Sequence, residues 1–273
     1  MRVGFIGLGS QGAPMAQRIA LGGHPLTIWA RREAALEPFR KTGAASVAPT
    51  PAELGAASDV VGICVVNDDD VENVLVRPDG VLAGMAAGGV IAIHSTIRPD
   101  TCLRLADAAA AHGVAIVDAP VSGGGPAAAE CRLLVMVGGA EADVARCRPV
   151  FETFGNPVIH LGPLGTGQIA KLLNNFVFTA QLAAALDTFA FAGALGMDRA
   201  AVAQVLAHGS GGSRAAGFIA ATNFDPTGLS RVAVPLLRKD LGIMLEVARD
   251  RSVEAPGSLV DLADRALALL GEP

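Results

Sequence analysis

The stretch Val3-Gly4-Phe5-Ile6-Gly7-Leu8-Gly9-Ser10-Gln11-Gly12, continued by a helix-compatible run from Ala13 to Leu21, decides the fold. An apolar strand passes directly into Gly-x-Gly-x-x-Gly and then into a helix. That order builds a dinucleotide cradle. Gly7 permits the tight turn, Gly9 lets the backbone approach a pyrophosphate with no Cβ in the way, and Gly12 allows close packing of helix on strand. The helix start adds free N–H groups and a partial positive charge for phosphates. In a chain with 33 glycines the spacing alone recurs by chance, so the strand before it and the helix after it carry the reading.

The next apolar run, Leu26-Thr27-Ile28-Trp29, ends in Ala30-Arg31-Arg32. A carboxylate at this strand end bonds the ribose 2′-hydroxyl of NAD, whereas an arginine accommodates a 2′-phosphate. The first acid, Glu33, comes only after two guanidiniums, whose geometry matches phosphate oxygens in pairs. Arg31 and Arg32 therefore point to NADP over NAD, with a solvated arginine pair on a loop as the plain alternative.

Further apolar runs follow at Val60–Val66, Val90–His94, Val114–Val117, Leu133–Val137 and Val158–His160, most of them separated by alanine-rich helical segments. Strands that are apolar throughout and alternate with helices predict a doubly wound parallel sheet covered on both faces. The alternation stops near Gly162-Pro163-Leu164-Gly165. A boundary there gives an α/β dinucleotide-binding domain over 1–162 and an all-helical domain over 163–273. The second domain is expected to hold helices at about Gly167–Leu195, Asp198–Ala207, Arg214–Thr222, Leu229–Arg249 and Gly257–Leu270. Asp68-Asp69-Asp70 suits the start of the helix after the third strand, where acids complement the dipole.

Composition narrows the function classes. Net charge is −5, tyrosine is absent and aromatics make up 4%, so no basic, aromatic-laced surface for nucleic acid is expected. Hydrophobic residues reach 51% and charged residues only 17%, with a mean hydropathy of +0.46. The longest apolar stretch, Phe176 to Leu195, is broken by Gln181 and Asp187 and lacks basic anchors, which reads as a helix buried in protein and not a membrane span. Arg2 stands before a core strand with no leader-like segment, so the cytoplasm is the expected location. Cys64, Cys102, Cys131 and Cys147 are scattered free thiols, and neither they nor the five histidines show metal-ligand spacing.

Two other segments carry chemistry. In Asp118-Ala119-Pro120-Val121-Ser122-Gly123-Gly124-Gly125-Pro126, a serine and consecutive glycines between a strand end and a helix offer several N–H groups to an anion such as a substrate carboxylate. In Gly165-Thr166-Gly167-Gln168-Ile169-Ala170-Lys171-Leu172-Leu173-Asn174-Asn175, Lys171 and Asn175 share one helix face among apolar neighbours. Desolvation there lowers an amine's pKa and suits proton transfer. Arg238-Lys239-Asp240, by composition alone, reads as a solvated helix face.

Taken together, these motifs resemble the β-hydroxyacid dehydrogenases, the group of 3-hydroxyisobutyrate dehydrogenase, tartronate semialdehyde reductase and related succinic semialdehyde and glyoxylate reductases. The resemblance covers essentially the whole chain. Gly7 to Met15 is similar to the cofactor signature, Ser95-Thr96 before Pro99 to the segment near the nicotinamide, and Asp118 to Gly124 to the substrate loop. Gly165-x-Gly-x-x-x-Lys171-x-x-x-Asn175 is similar to the catalytic helix and Lys239-Asp240-Leu241 to the C-terminal signature.

The resemblance implies hydride transfer between NADP, or NAD, and a small β-hydroxy acid or its semialdehyde. Lys171 is then the general acid/base, and Asn175 orients the reacting groups. Ser122, Gly123 and Gly124 bind the carboxylate, with Lys239 and Asp240 at the active-site wall. Gly7, Leu8, Gly9, Ser10, Gln11, Gly12, Ala30, Arg31, Arg32, Val65, Val66, Asn67, Thr96 and Lys239 contact the cofactor. It also implies a homodimer or homotetramer joined through the helical domain. Gln11 stands where methionine is commoner, and Cys131 where glycine is usual. An imine reductase on the same scaffold generally replaces the lysine, and a non-catalytic NADP-binding protein loses its proton donor, so Lys171 weighs against both.

Overall fold

The computed structural model describes residues 1–226 and 233–271. The chain divides into two compact units, Met1–Lys171 and Leu172–Pro273.

The first unit is built on a six-stranded parallel sheet of β1 (Val3–Ile6), β2 (Leu26–Trp29), β3 (Ser46–Val47), β4 (Val60–Ile63), β5 (Val90–Ile93) and β6 (Ala115–Asp118), in spatial order β3-β2-β1-β4-β5-β6. The order reverses between β1 and β4, the switch point at which α/β sheets of this type bind dinucleotides. The connecting helices are α1 (Gly12–Leu21), α2 (Glu37–Thr42), α3 (Pro51–Ala56), α4 (Asp68–Val76), α5 (Val81–Gly84) and α6 (Pro99–Ala110). Side chains alternate between two core layers. Val3, Phe5, Val60, Val90, Ala92 and Val117 enter one, while Ile6, Val61, Ile63, Ile91, Ile93 and Ile116 enter the other. Because both sheet faces are covered, the strands read as unbroken apolar runs.

The two final apolar runs do not extend this sheet, contrary to the single parallel sheet expected. They form a three-stranded sheet of β7 (Val121–Ser122), β8 (Leu133–Val137) and β9 (Gly155–His160), with β7 antiparallel and β9 parallel to β8. Helices α7 (Gly124–Ala129) and α8 (Glu141–Phe151) lie between these strands in sequence. An isolated bridge from Asp118 to Gly138 ties β6 to the end of β8. Apolar content marks a strand but does not specify its neighbour. The strand expected at Val60–Val66 ends at Ile63, leaving Val65 and Val66 in the loop before α4.

The long helix α9 (Thr166–Ala194) opens within the last residues of the first unit and continues into the second. It is long and apolar enough to cross a membrane, and 44% of its most apolar window is buried inside the protein. The helices α10 (Arg199–His208), α11 (Arg214–Ala221), α12 (Ala233–Asp250) and α13 (Gly257–Gly271) follow. The sequence placed the start of α12 at Leu229, which lies outside the described residues. Asp198 and Ser213 cap α10 and α11 through N–H groups two and three residues on. The helical core joins Phe176, Ala183 and Phe189 of α9 to Val234, Leu237 and Leu241 of α12 and to Ala263, Ala266, Leu267 and Leu270 of α13. On α12 and α13 the steps of three and four residues put these side chains on one stripe of each helix.

Candidate active site

The turn from β1 into α1 has the shape a pyrophosphate needs. Gly7 adopts φ +99°, and a Cβ there would meet the Cys64 carbonyl oxygen at 2.1 Å, so only glycine fits. Gly9 is different: a Cβ added to it would meet no protein atom within 4 Å. The space beside its backbone is open. Helix α1 has neither a side-chain cap nor an acid in its first turn, which leaves its N–H groups and dipole for an anion. Leu8 is buried, Ser10 is exposed, and Gln11 sits at the helix start without capping it. These residues fit a dinucleotide.

At the end of β2, Ala30 is partly buried while Arg31 and Arg32 project outward. Arg31 reaches Asp70 of α4, with its Nη1 3.5 Å from Oδ1. After β4, Val65 is half-buried and Val66 is 58% exposed, an apolar side chain left uncovered. Asn67 caps α4 by accepting the Asp70 N–H at 2.9 Å, and Asp68, Asp69 and Asp70 fill the first turn as expected. Asp68 is also tied to the start of α6, accepting the Arg98 N–H at 3.0 Å and the Thr101 hydroxyl at 2.6 Å.

Ser95 follows β5 and is buried. Its hydroxyl accepts the Val65 N–H at 2.8 Å, joining two of the loops at the carboxyl end of the sheet, and Thr96 beside it is half-buried. His94 lies beneath this loop. It stacks on Phe5, and its Nδ1–H donates to the Ala119 carbonyl at 2.8 Å. Burial pushes its pKa down to about 4, so it is neutral at physiological pH.

The segment after β6 is more ordered than a free anion loop. Val121 and Ser122 pair with β8, and the glycine turn begins only at Gly123 (φ +136°) and Gly124 (φ +75°). Gly125 presses against α1's loop, where a Cβ would lie 2.4 Å from the Ser10 carbonyl oxygen. Ser122, Gly123 and Gly124 are all half-buried. Cys131, at the foot of this segment, takes φ +57°, the left-handed region that favours glycine.

A buried polar network holds the start of α9. Asp118 Oδ1 accepts the Gly165 N–H and Oδ2 the Gln168 N–H, both at 2.7 Å. The Gln168 side chain donates from Nε2 to the Ser95 carbonyl at 2.8 Å and accepts the Ile97 N–H on Oε1 at 3.1 Å. Asp118 and Gln168 are fully buried. Burial raises the Asp118 carboxyl above its usual range, and the N–H groups aimed at it act in the opposite direction. Neither residue carried a role in the sequence reading, because their partners stand up to 73 positions away.

Lys171 lies one turn beyond Gln168 on α9 and is half-buried, with Asn175 a further turn along. In the helical unit, Asn175 Nδ2 donates to Asp240 Oδ2 of α12 at 2.6 Å. Lys239 Nζ stands 2.9 Å from the other oxygen, Oδ1, as an ion pair outside hydrogen-bond alignment. Asp240 is only 5% exposed and Lys239 is half-buried, so of the charged stretch read as a solvated face on composition alone only Arg238 is exposed. Leu172 packs on Ile243 and Val247 beneath it.

All four cysteines are free, and burial pushes Cys64 and Cys147 up to about 12 and raises Cys102 well above the usual thiol range. No cluster of metal-ligating side chains occurs among the described residues.

Residues 2–162 match the NAD-binding domain of 6-phosphogluconate dehydrogenase, and residues 165–268 match the domain described as NAD-binding of NADP-dependent 3-hydroxyisobutyrate dehydrogenase. The chain belongs to the NAD(P)-dependent β-hydroxyacid dehydrogenases. It is 32% identical to 3-hydroxyisobutyrate dehydrogenase of Pseudomonas aeruginosa, over 98% of this chain and 91% of that one. Identity to 2-hydroxy-3-oxopropionate reductase of Escherichia coli is 33%, covering 94% and 88%. The structure of a Mycobacterium tuberculosis 3-hydroxyisobutyrate dehydrogenase solved with L-serine superposes with a TM-score of 0.83 at 28% identity, covering 98% of this dehydrogenase and 94% of its relative. The enzyme is thus a dehydrogenase of this family, as its separate motifs implied.

Proposed function

We propose that this dehydrogenase transfers hydride between NADP(H) and a small β-hydroxy acid or its semialdehyde, of the 3-hydroxyisobutyrate, tartronate semialdehyde or succinic semialdehyde type. The observation that carries this reading is the conjunction on α9 of Lys171 with Asn175, the latter held by buried Asp240. The bound nicotinamide supplies the redox chemistry, and the protein positions the substrate and moves one proton.

In oxidation, the unprotonated Lys171 amine accepts the substrate hydroxyl proton; in reduction, its ammonium gives one to the aldehyde oxygen. Asn175 donates one amide hydrogen to Asp240, which fixes the amide plane and leaves the second to orient the substrate oxygen. The half-buried Ser122, Gly123 and Gly124 receive the substrate carboxylate, and Lys239 supplies a cation to the substrate. Gly7 to Gly12, Ala30, Val65, Val66, Asn67, Thr96 and Lys239 hold the dinucleotide. Arg31 and Arg32 favour a 2′-phosphate, and NAD is the second choice.

The substrate is a small carboxylate, and the site of action is the cytoplasm. The family matches to residues 2–162 and 165–268 support a domain division at 162/163, a few residues ahead of the compact-unit division after Lys171, and copies associate as a dimer or tetramer through the helical part. Phe191, Leu195 and Val205, each more than 60% exposed, support this association.

A panel of small hydroxy acids and semialdehydes, followed by nicotinamide absorbance with both cofactors, tests this reading. Turnover of at least one β-hydroxy acid with NADP is the expected result. Turnover of cyclic imines alone, or tight cofactor binding without any turnover, contradicts it.

A further inference from the structure

Gln168 is an expensive residue for its place. It lies in the first turn of a largely apolar helix and is fully buried, where a polar side chain costs free energy unless every polar atom is matched. Here each is matched. Its amide bridges two backbone groups of one loop, the Ser95 carbonyl and the Ile97 N–H, while its own N–H is held by Asp118. Asp118 uses its other oxygen on Gly165 and stands three residues before Val121, where the serine–glycine segment begins. Ser95 in turn accepts the Val65 N–H. Five hydrogen bonds therefore run from the loop after β4, through the loop after β5, to the first turn of α9 and the end of β6. The contact leaves no slack: a Cβ at Gly167 would lie 2.5 Å from the Met136 carbonyl and 2.8 Å from Asp118 Oδ2.

We infer that Gln168 and Asp118 are positioning residues that set the height and rotation of α9 against the Ser95–Ile97 loop, and thereby fix where the Lys171 amine meets the reacting oxygen. Gln168 precedes Lys171 by three residues, so the two lie on neighbouring turns of one face. A rotation of the first turn carries the amine with it. Displacements of about 1 Å at a reacting group cost on the order of 100-fold in rate, whereas apolar packing alone holds a helix less specifically than a matched polar network. The inference rests on the proposed role of Lys171 as proton carrier.

The test compares Gln168→Met, which keeps the volume and removes both side-chain bonds, with Gln168→Glu, which keeps the shape and the acceptor for Ile97. The expected kcat per folded molecule falls by roughly 10- to 100-fold in Gln168→Met and less in Gln168→Glu. The dissociation constant for NADPH stays within about threefold, because the phosphate-binding loop is untouched. The primary deuterium isotope effect with C4-deuterated NADPH rises as the chemical step becomes limiting, and the Ile97 amide loses protection from hydrogen exchange. A merely structural role lowers the folded fraction and leaves the isotope effect and kcat per folded molecule where they were, which overturns the inference. If Lys171→Ala retains turnover, the reading beneath it falls as well; if that variant is dead while Gln168→Met is normal, only the positioning role falls.

Discussion

Asn175 and Asp240, 65 residues apart in sequence, are joined by a 2.6 Å hydrogen bond in which the amide donates to a carboxylate that is 5% exposed. The second oxygen of the same carboxylate faces the Lys239 ammonium. One buried acid thus orients an amide and a cation that the sequence motifs placed on separate helices. Replacing Asp240 with Asn keeps the shape and removes the charge. The expected loss in kcat/KM is about 10- to 100-fold, or roughly 1.4–3 kcal/mol of transition-state stabilisation. Steady-state kinetics within twofold of the parent would remove Asp240 from this role.

Cofactor choice is predicted to lie at the end of β2. Arg31 projects there, within 3.5 Å of Asp70. Charge-assisted hydrogen bonds to phosphate contribute about 1.5–3 kcal/mol, so Arg31→Ala lowers kcat/KM for NADPH by roughly 10- to 100-fold. NADH, which has no 2′-phosphate, changes by less than about threefold. An equal fall with both cofactors contradicts a 2′-phosphate contact.

Stability is predicted to fall in acid because of His94. Its folded-state pKa of about 4 lies below the ordinary value of 6.5, so the unfolded chain takes up the proton first. The stabilisation is present in full above pH 6.5 and is lost as pH falls towards 4, on the order of 3 kcal/mol in total. Denaturant unfolding between pH 7 and 4 measures it, and His94→Gln, which cannot titrate, flattens that part of the profile. An unchanged slope in the variant assigns the loss to other groups.

Cys131 holds a backbone conformation that glycine adopts freely. Cys131→Gly relieves left-handed strain and is opposed by the greater entropy of the unfolded glycine chain. The net expectation is a gain of up to about 1 kcal/mol, a rise in Tm of about 2–4 °C. A fall in Tm shows that the thiol's packing outweighs the strain.

Much of the first unit was legible because its signals are local. Val3–Ile6 and Leu26–Trp29 are apolar runs next to turn residues, and both coincide with observed strands. Ser46–Val47 and Val121–Ser122 went unread because a two-residue strand has no period of its own. The second sheet went unread because Leu133 to Val137 looks the same whether it pairs with β6 or with β7 and β9. At the site, the glycine turn and the Lys171–Asn175 spacing are written in neighbouring residues. Gln168, Asp118 and Ser95 are not, since their meaning lies in bonds that cross 30 to 73 positions. A buried glutamine in the first turn of an apolar helix was the one local sign.

The central claim is that the Lys171 amine carries the proton that accompanies hydride transfer. Turnover by Lys171→Ala, measured by nicotinamide absorbance on the substrate the parent uses best, together with NADPH binding by fluorescence, tests it most directly. The account predicts a loss of at least about 100-fold in kcat, the scale of general acid–base catalysis, with the dissociation constant within about threefold. A variant that binds NADPH normally and still turns over within tenfold of the parent contradicts it.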